Sequence, residues 1–136
     1  MDVIFLIGRI LFAAIFIGSG FGHFQKDSIE YARAKGIPSP DALVPLSGVL
    51  ILVGGLLIAT GIFADLGALL VIPFLAPAAF MMHAFWKESD PQMQQNEMAH
   101  FMKNLSMTGA AIMLFWLYNQ SQDLPLSITE ALFGRF

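Results

Sequence analysis

Four stretches of the chain are almost continuously apolar, and short polar segments separate them. They cover residues 3–24, 44–63, 66–86 and 100–118. About 20 apolar residues suffice for a helix to cross the hydrocarbon core of a bilayer. The runs are too continuous for the alternating pattern of a membrane barrel. Lipid offers no partner for backbone N–H and C=O groups, so each stretch is predicted to be a helix. A soluble domain of 136 residues cannot bury four helices that are apolar all round. The pattern therefore predicts an all-α, integral membrane four-helix bundle in one domain, residues 1–136.

The connections differ in kind. Only Ala64-Asp65 separates the second and third stretches, which predicts a tight antiparallel hairpin. Residues 25–43 hold a short interfacial helix over 28–35, with Ser28 as N-cap, Gly36 as the stop and Pro38-Ser39-Pro40 as the turn. Residues 87–99 read as a polar loop, and residues 128–133 of the tail as an interfacial segment. The first stretch follows Met1-Asp2 rather than a basic region and lacks an A-x-A site, which argues against a cleaved signal peptide.

Charge sharpens the picture. Charged residues make up 12% of the chain, against about a quarter in soluble domains. Of the seven Lys and Arg and ten Asp and Glu, only Arg9 and Lys103 lie inside the apolar stretches. No basic surface suited to nucleic acid exists. The chain has no cysteine, which excludes disulfides, thiol exchange and thiolate metal sites. Lys26, Arg33, Lys35, Lys87 and Lys103 gather on the side of the two long loops, against Arg9 and Arg135 on the other. That bias predicts cytoplasmic long loops and both termini outside.

The polar residues within the stretches are the candidate chemistry, because a charge in hydrocarbon costs about 2.5–3.5 kcal/mol on insertion scales. Arg9, Ala13, Phe16, Gly20 and His23 share one helical face. Arg9 either binds an anionic or carbonyl group of a ligand, ion-pairs inside the bundle, or snorkels to the headgroups. His23, His83 and His100 fall at one membrane face. Glu97, His100, Asn104, Thr108, Ala111, Phe115 and Tyr118 form a second polar seam, which meets the first only if the first and fourth helices touch.

Glu97-x-x-His100 has the spacing of carboxylate-bridged metal bundles, but the second copy such sites need is missing. Histidines at helix ends are readily solvated, so a metal is disfavoured. No haem-attachment motif is present either. Gly18, Gly20 and Gly22 in the first stretch, with Gly48, Gly54, Gly55 and Gly61 in the second, suit close helix packing. Pro73 and Pro77 each remove a helical hydrogen bond, and a kink there would open a cavity.

Several motifs in order resemble the DoxX family of small four-helix membrane proteins. They are Gly8-Arg9-Ile10-Leu11-Phe12, Gly18-Ser19-Gly20-Phe21-Gly22-His23-Phe24, Tyr31-Ala32-Arg33-Ala34-Lys35-Gly36-Ile37-Pro38, Gly54-Gly55-Leu56-Leu57 with Gly61, His83-Ala84-Phe85-Trp86, and Phe101-Met102-Lys103-Asn104-Leu105. The resemblance implies an inner-membrane bundle and nominates Arg9, His83, Lys103 and Asn104, which match the family's recurrent polar motif. Some relatives are subunits of a thiosulfate:quinone oxidoreductase, and others are associated with membrane complexes that handle oxidative stress. Members acting through thiols need a cysteine, which this chain lacks.

Three functions follow as expectations. The first is an accessory or quinone-interacting subunit of a membrane oxidoreductase. Its ligand-binding candidates are Arg9, His23, His83, Glu97, His100, Lys103 and Asn104, because a quinone needs an apolar slot and donors at its carbonyls. The second is a carrier or transporter of a small molecule or lipid. The third is a non-catalytic assembly protein docking through its long loops. The expected partners are the bilayer and a membrane or soluble oxidoreductase; a homo-oligomer stays open.

Overall fold

The computed structural model describes residues 1–121 and 124–133. Its long helices are α1 (Asp2–Gly22), α3 (Pro40–Thr60), α4 (Ala64–Met82) and α5 (Pro91–Gln120). A short helix, α2 (Lys26–Ala34), links α1 to α3, and a single 3-10 turn, Phe85–Lys87, follows α4. No strand occurs among the described residues. Three segments are long and apolar enough to cross a membrane: Asp2–Gly22, Pro40–Thr60 and Ala64–Lys87.

α5 is not among these three, and its first turns are polar. The 87–99 segment, read as a loop from its Gln and Asn content, is mostly helical. Asp90 caps it by accepting a hydrogen bond from the Met93 N–H at 2.8 Å, and Pro91 occupies the first turn. At 30 residues α5 is about 45 Å long. The short helix starts earlier than expected. Gln25 precedes it, and Ser28 donates instead to the Gly22 carbonyl at 2.8 Å. Its stop is as read: Gly36 takes φ +78°, the Gly36 N–H donates to Arg33 and the Ile37 N–H to Ala32. The hairpin turn falls at residues 61–63, ahead of Ala64-Asp65, which already belong to α4.

α1 packs on α3, α3 on α4 and α4 on α5. The buried face of α1 is Arg9, Ala13, Phe16 and Gly20. The core joins Ala13 and Phe16 to Ile51, Ile58, Val71, Leu75 and Ala111. Glycines set the closest approaches. A Cβ on Gly67 would stand 2.8 Å from the Gly54 carbonyl oxygen, and one on Gly48 2.8 Å from the His23 Cβ. Small residues allow this proximity, which strengthens dispersion between helices in lipid.

Residues 124–133 fold back over one end of the bundle. Asp65, fully buried, accepts from the backbone N–H groups of Leu132 at 3.0 Å and Phe133 at 2.8 Å. Thr129 donates its N–H to the Gly61 carbonyl and accepts from the Phe63 N–H. The 128–133 segment, expected at the membrane interface, is thus tied to the bundle end through its backbone.

Candidate functional site

Two polar clusters occupy opposite ends of the bundle. The first is built on Arg9, which is 3% exposed. Its guanidinium donates to the Tyr118 hydroxyl at 3.0 Å, the Ser127 hydroxyl at 2.8 Å and the Leu126 carbonyl at 2.6 Å. It also lies 5.8 Å from the centre of the Phe5 ring. Its partners among the described residues are neutral oxygens inside the bundle, not the acidic side chain of an ion pair. The α1 and α5 polar seams meet here, through Arg9 and Tyr118.

The second cluster centres on Glu97, 5% exposed on the polar part of α5. Its Oε1 accepts from Lys35 Nζ at 2.8 Å and the Tyr31 hydroxyl at 2.9 Å, and its Oε2 lies 2.8 Å from His83 Nδ1. Lys35 also donates to Glu88 at 2.9 Å. One amphipathic turn of α2 supplies both Tyr31 and Lys35, four residues apart on one face. Burial works against a charged Glu97. The hydrogen bonds from Lys35, His83 and Tyr31 outweigh it and hold the carboxyl at about 2. Burial also opposes the Lys35 charge, and its bonds to Glu97 and Glu88 more than restore it, pushing that pKa up. The Tyr31 hydroxyl is pushed up by burial and by the adjacent Glu97.

From Glu97 the polar groups continue along α5 to His100 and Lys103, both exposed. The His83 ring stacks on His100 with centroids 5.1 Å apart, and Lys103 Nζ lies 3.1 Å from His100 Nδ1. His23 sits across the bundle, 3.2 Å from the Ser47 hydroxyl and with its ring against Phe74. No group of three or more His, Asp or Glu suited to a metal ion occurs among the described residues.

A cavity of about 650 Å³ lies between these groups. Its walls are mostly apolar, with Phe16, Leu50, Phe74, Leu75, Met82 and Met107 among them. Its polar end presents His23, Ser47, Tyr31, His83, Lys103 and Asn104. Asn104 is 5% exposed, and its side-chain amide has no hydrogen-bond partner among the described residues. An amide in a cavity wall without a protein partner is available to a ligand. Pro73 and Pro77 line the same cavity, where the sequence placed a kink-opened space.

A family profile described as DoxX matches residues 4–84 of the chain, more than half of its length. The chain belongs to the DoxX family. Its DoxX membership and its three apolar helices make it a membrane protein. The matched DoxX region contains Arg9, His23 and His83 and ends before Glu97, His100, Lys103 and Asn104. No curated protein and no solved structure matches the chain.

Of the seven residues nominated from sequence, the structure gathers six of them, His23, His83, Glu97, His100, Lys103 and Asn104, around one end of the bundle. His23, His83, Lys103 and Asn104 line the cavity, while Glu97 and His100 stand behind His83. Arg9 is separate. Sequence reasoning passed over Tyr31, Lys35 and Asp65. The Tyr31-x-x-x-Lys35 spacing on a short amphipathic helix was a usable signal for the first two, and a lone acid in a hairpin for the third.

Proposed function

We propose that this DoxX-family protein is a four-helix bundle of the inner membrane whose cavity takes a quinone, as an accessory subunit of a membrane oxidoreductase. α5 is the fourth spanning helix in this reading, crossing with the apolar part that follows its polar first turns. The observation that carries it is the side-chain amide of Asn104, unpaired among the described residues, in the lining of a mostly apolar cavity of about 650 Å³. A quinone is a flat apolar ring with two carbonyl acceptors. Asn104 and Lys103 donate at one place, and His23 stands at another beside Ser47, whose hydroxyl donates to the Val44 carbonyl. Glu97, Lys35 and Tyr31 hold His83 and the end of α5 in position. Arg9 stays outside the site and anchors the C-terminal segment. Electrons come from a partner protein or its cofactor, since the side chains here do not carry them. The long loops face the cytoplasm, following the basic-residue bias.

Binding of a short-tailed quinone to the purified protein in nanodiscs tests the reading. Saturable binding is expected, and Asn104→Leu should weaken it about tenfold, the scale of one lost hydrogen bond. Helical circular dichroism should be unchanged. Absence of saturable binding, with no quinone extracted from the purified protein, overturns it. Membranes with and without the gene should also differ in quinone reduction rate.

A further inference from the structure

The cavity has a side opening, and its position follows from the packing of α3 against α4. On α3, Leu43, Ser47, Leu50 and Gly54 recur at spacings of four, three and four, so they form one ridge. On α4, Gly67, Leu70, Phe74, Pro77 and Met81 form another. The ridges approach most closely where glycines meet. A Cβ on Gly54 would stand 2.8 Å from Val71 Cγ1 and 2.9 Å from the Gly67 carbonyl oxygen. Further along, Leu43, Ser47 and Leu50 line the cavity together with Phe74, Pro77 and Met81. The two helices therefore form a wedge, closed at the glycines and open towards the loop end.

The outer rim of the wedge is apolar and exposed. Leu43, Leu46 and Met81 are 42%, 55% and 47% exposed, and all three also line the cavity with Pro73. The inner end is the buried Asn104 and Phe16. One space thus runs from a buried polar head site to the exterior of two helices that are each long and apolar enough to cross a membrane. Proline keeps it open. Pro73 and Pro77 offer no N–H to the turn before them, so the carbonyls of Leu69 and Pro73 lose their usual donors.

We infer that the opening between α3 and α4 is a lateral portal, and that the ligand is a tailed, membrane-dissolved molecule. Its ring lies at Asn104 and His23, and its apolar tail leaves through the wedge past Leu46, Pro77 and Met81. This rests on the quinone reading and adds to it the tail and the route of entry. A ligand arriving from water would instead enter at the polar end, where exposed Asp27 lines the cavity beside Ser28 and Tyr31.

The test uses the full chain in nanodiscs and a decyl-tailed benzoquinone bearing a diazirine at the tail end, with the tail-free benzoquinone as competitor. After irradiation, labelled peptides are mapped by mass spectrometry. The expected labels fall within residues 43–50 and 73–81 and disappear under excess tail-free quinone, but persist under excess phospholipid. Ala78→Phe, which narrows the wedge, should weaken the tailed quinone about tenfold more than the tail-free one. Labels confined to α1 and α5, or labels that excess phospholipid removes, overturn the portal while quinone binding itself stands. Equal weakening of both ligands by Ala78→Phe does the same. Failure of both quinones to bind saturably overturns the portal together with the reading beneath it.

Discussion

Glu97 is a carboxylate taken out of water and repaid by bonds from Lys35, Tyr31 and His83. Its folded pKa, about 2, lies below the ordinary 4.5. Its contribution to stability is therefore fully present above about pH 4.5 and is lost as pH falls towards 2. Lys35 runs the other way. Its pKa is raised above 10.5, so its contribution holds below that pH and fades as pH rises beyond it. Thermal melts of the detergent-solubilised protein should show a plateau between these limits. Glu97→Gln should lower stability on the plateau by about 2 kcal/mol, the scale of a charge-assisted hydrogen bond. It should also flatten the acid limb. An unchanged acid limb in that variant would show that Glu97 is not the group that titrates. The Glu97 partners were hidden from sequence because they are 62 and 66 residues away in the chain, at Lys35 and Tyr31. The carboxylate itself was visible, since a charge one turn from a histidine at the edge of an apolar stretch is an unusual placement.

The helices were legible in sequence to the extent that lipid dictates them. Residues 3–24 and 44–63 stand out because their backbones have nowhere else to place their hydrogen bonds, and α1 and α3 form there. Hydropathy marks only what suits lipid, so it missed the first turns of α5, where Gln and Asn cover a helix that Asp90 and Pro91 begin. The α1 stripe of Arg9, Ala13, Phe16 and Gly20 was readable from periodicity, and those four residues form its buried face. Glycine content announced close packing without saying which glycines touch. The structure separates them. Gly67→Ala places a Cβ 2.8 Å from the Gly54 carbonyl oxygen, whereas Gly8→Ala meets nothing within 4 Å. Gly67→Ala should cost about 1–3 kcal/mol by forcing α3 and α4 apart. Gly8→Ala should be neutral or stabilising by about 0.5–1 kcal/mol, because alanine favours a helix interior. Chemical-denaturant unfolding of the two variants in the same detergent decides it, and equal effects would contradict glycine-mediated contact between α3 and α4.

At the scale of the whole molecule, the two ends have different tasks. The loop end keeps an open space and pays for its polar lining with a compensated ion-pair cluster. The other end is covered by residues 124–133, of which the sequence marked 128–133 as interfacial without showing what would hold them. Their hold is almost wholly polar. Asp65 takes two backbone N–H groups, Arg9 takes the Leu126 carbonyl and the Ser127 hydroxyl, and Gly61 takes Thr129. Gly61 can serve only as glycine: it has φ +71°, and a Cβ there would stand 2.7 Å from the Ser127 Cα. Such an anchor fails when its acceptor is removed. Asp65→Ala deletes both bonds to Leu132 and Phe133, each worth about 1.5–3 kcal/mol when the acceptor is charged. Local opening of the segment should therefore become at least about tenfold more frequent, and cleavage by a non-specific protease within residues 124–133 should accelerate in proportion. The helices between Asp65 and the cavity are packed by apolar side chains and glycine, which the substitution leaves in place. Quinone binding at the loop end should accordingly stay within about twofold of wild type. A loss of binding together with faster cleavage would mean that the closed end holds the wedge between α3 and α4 at its working width.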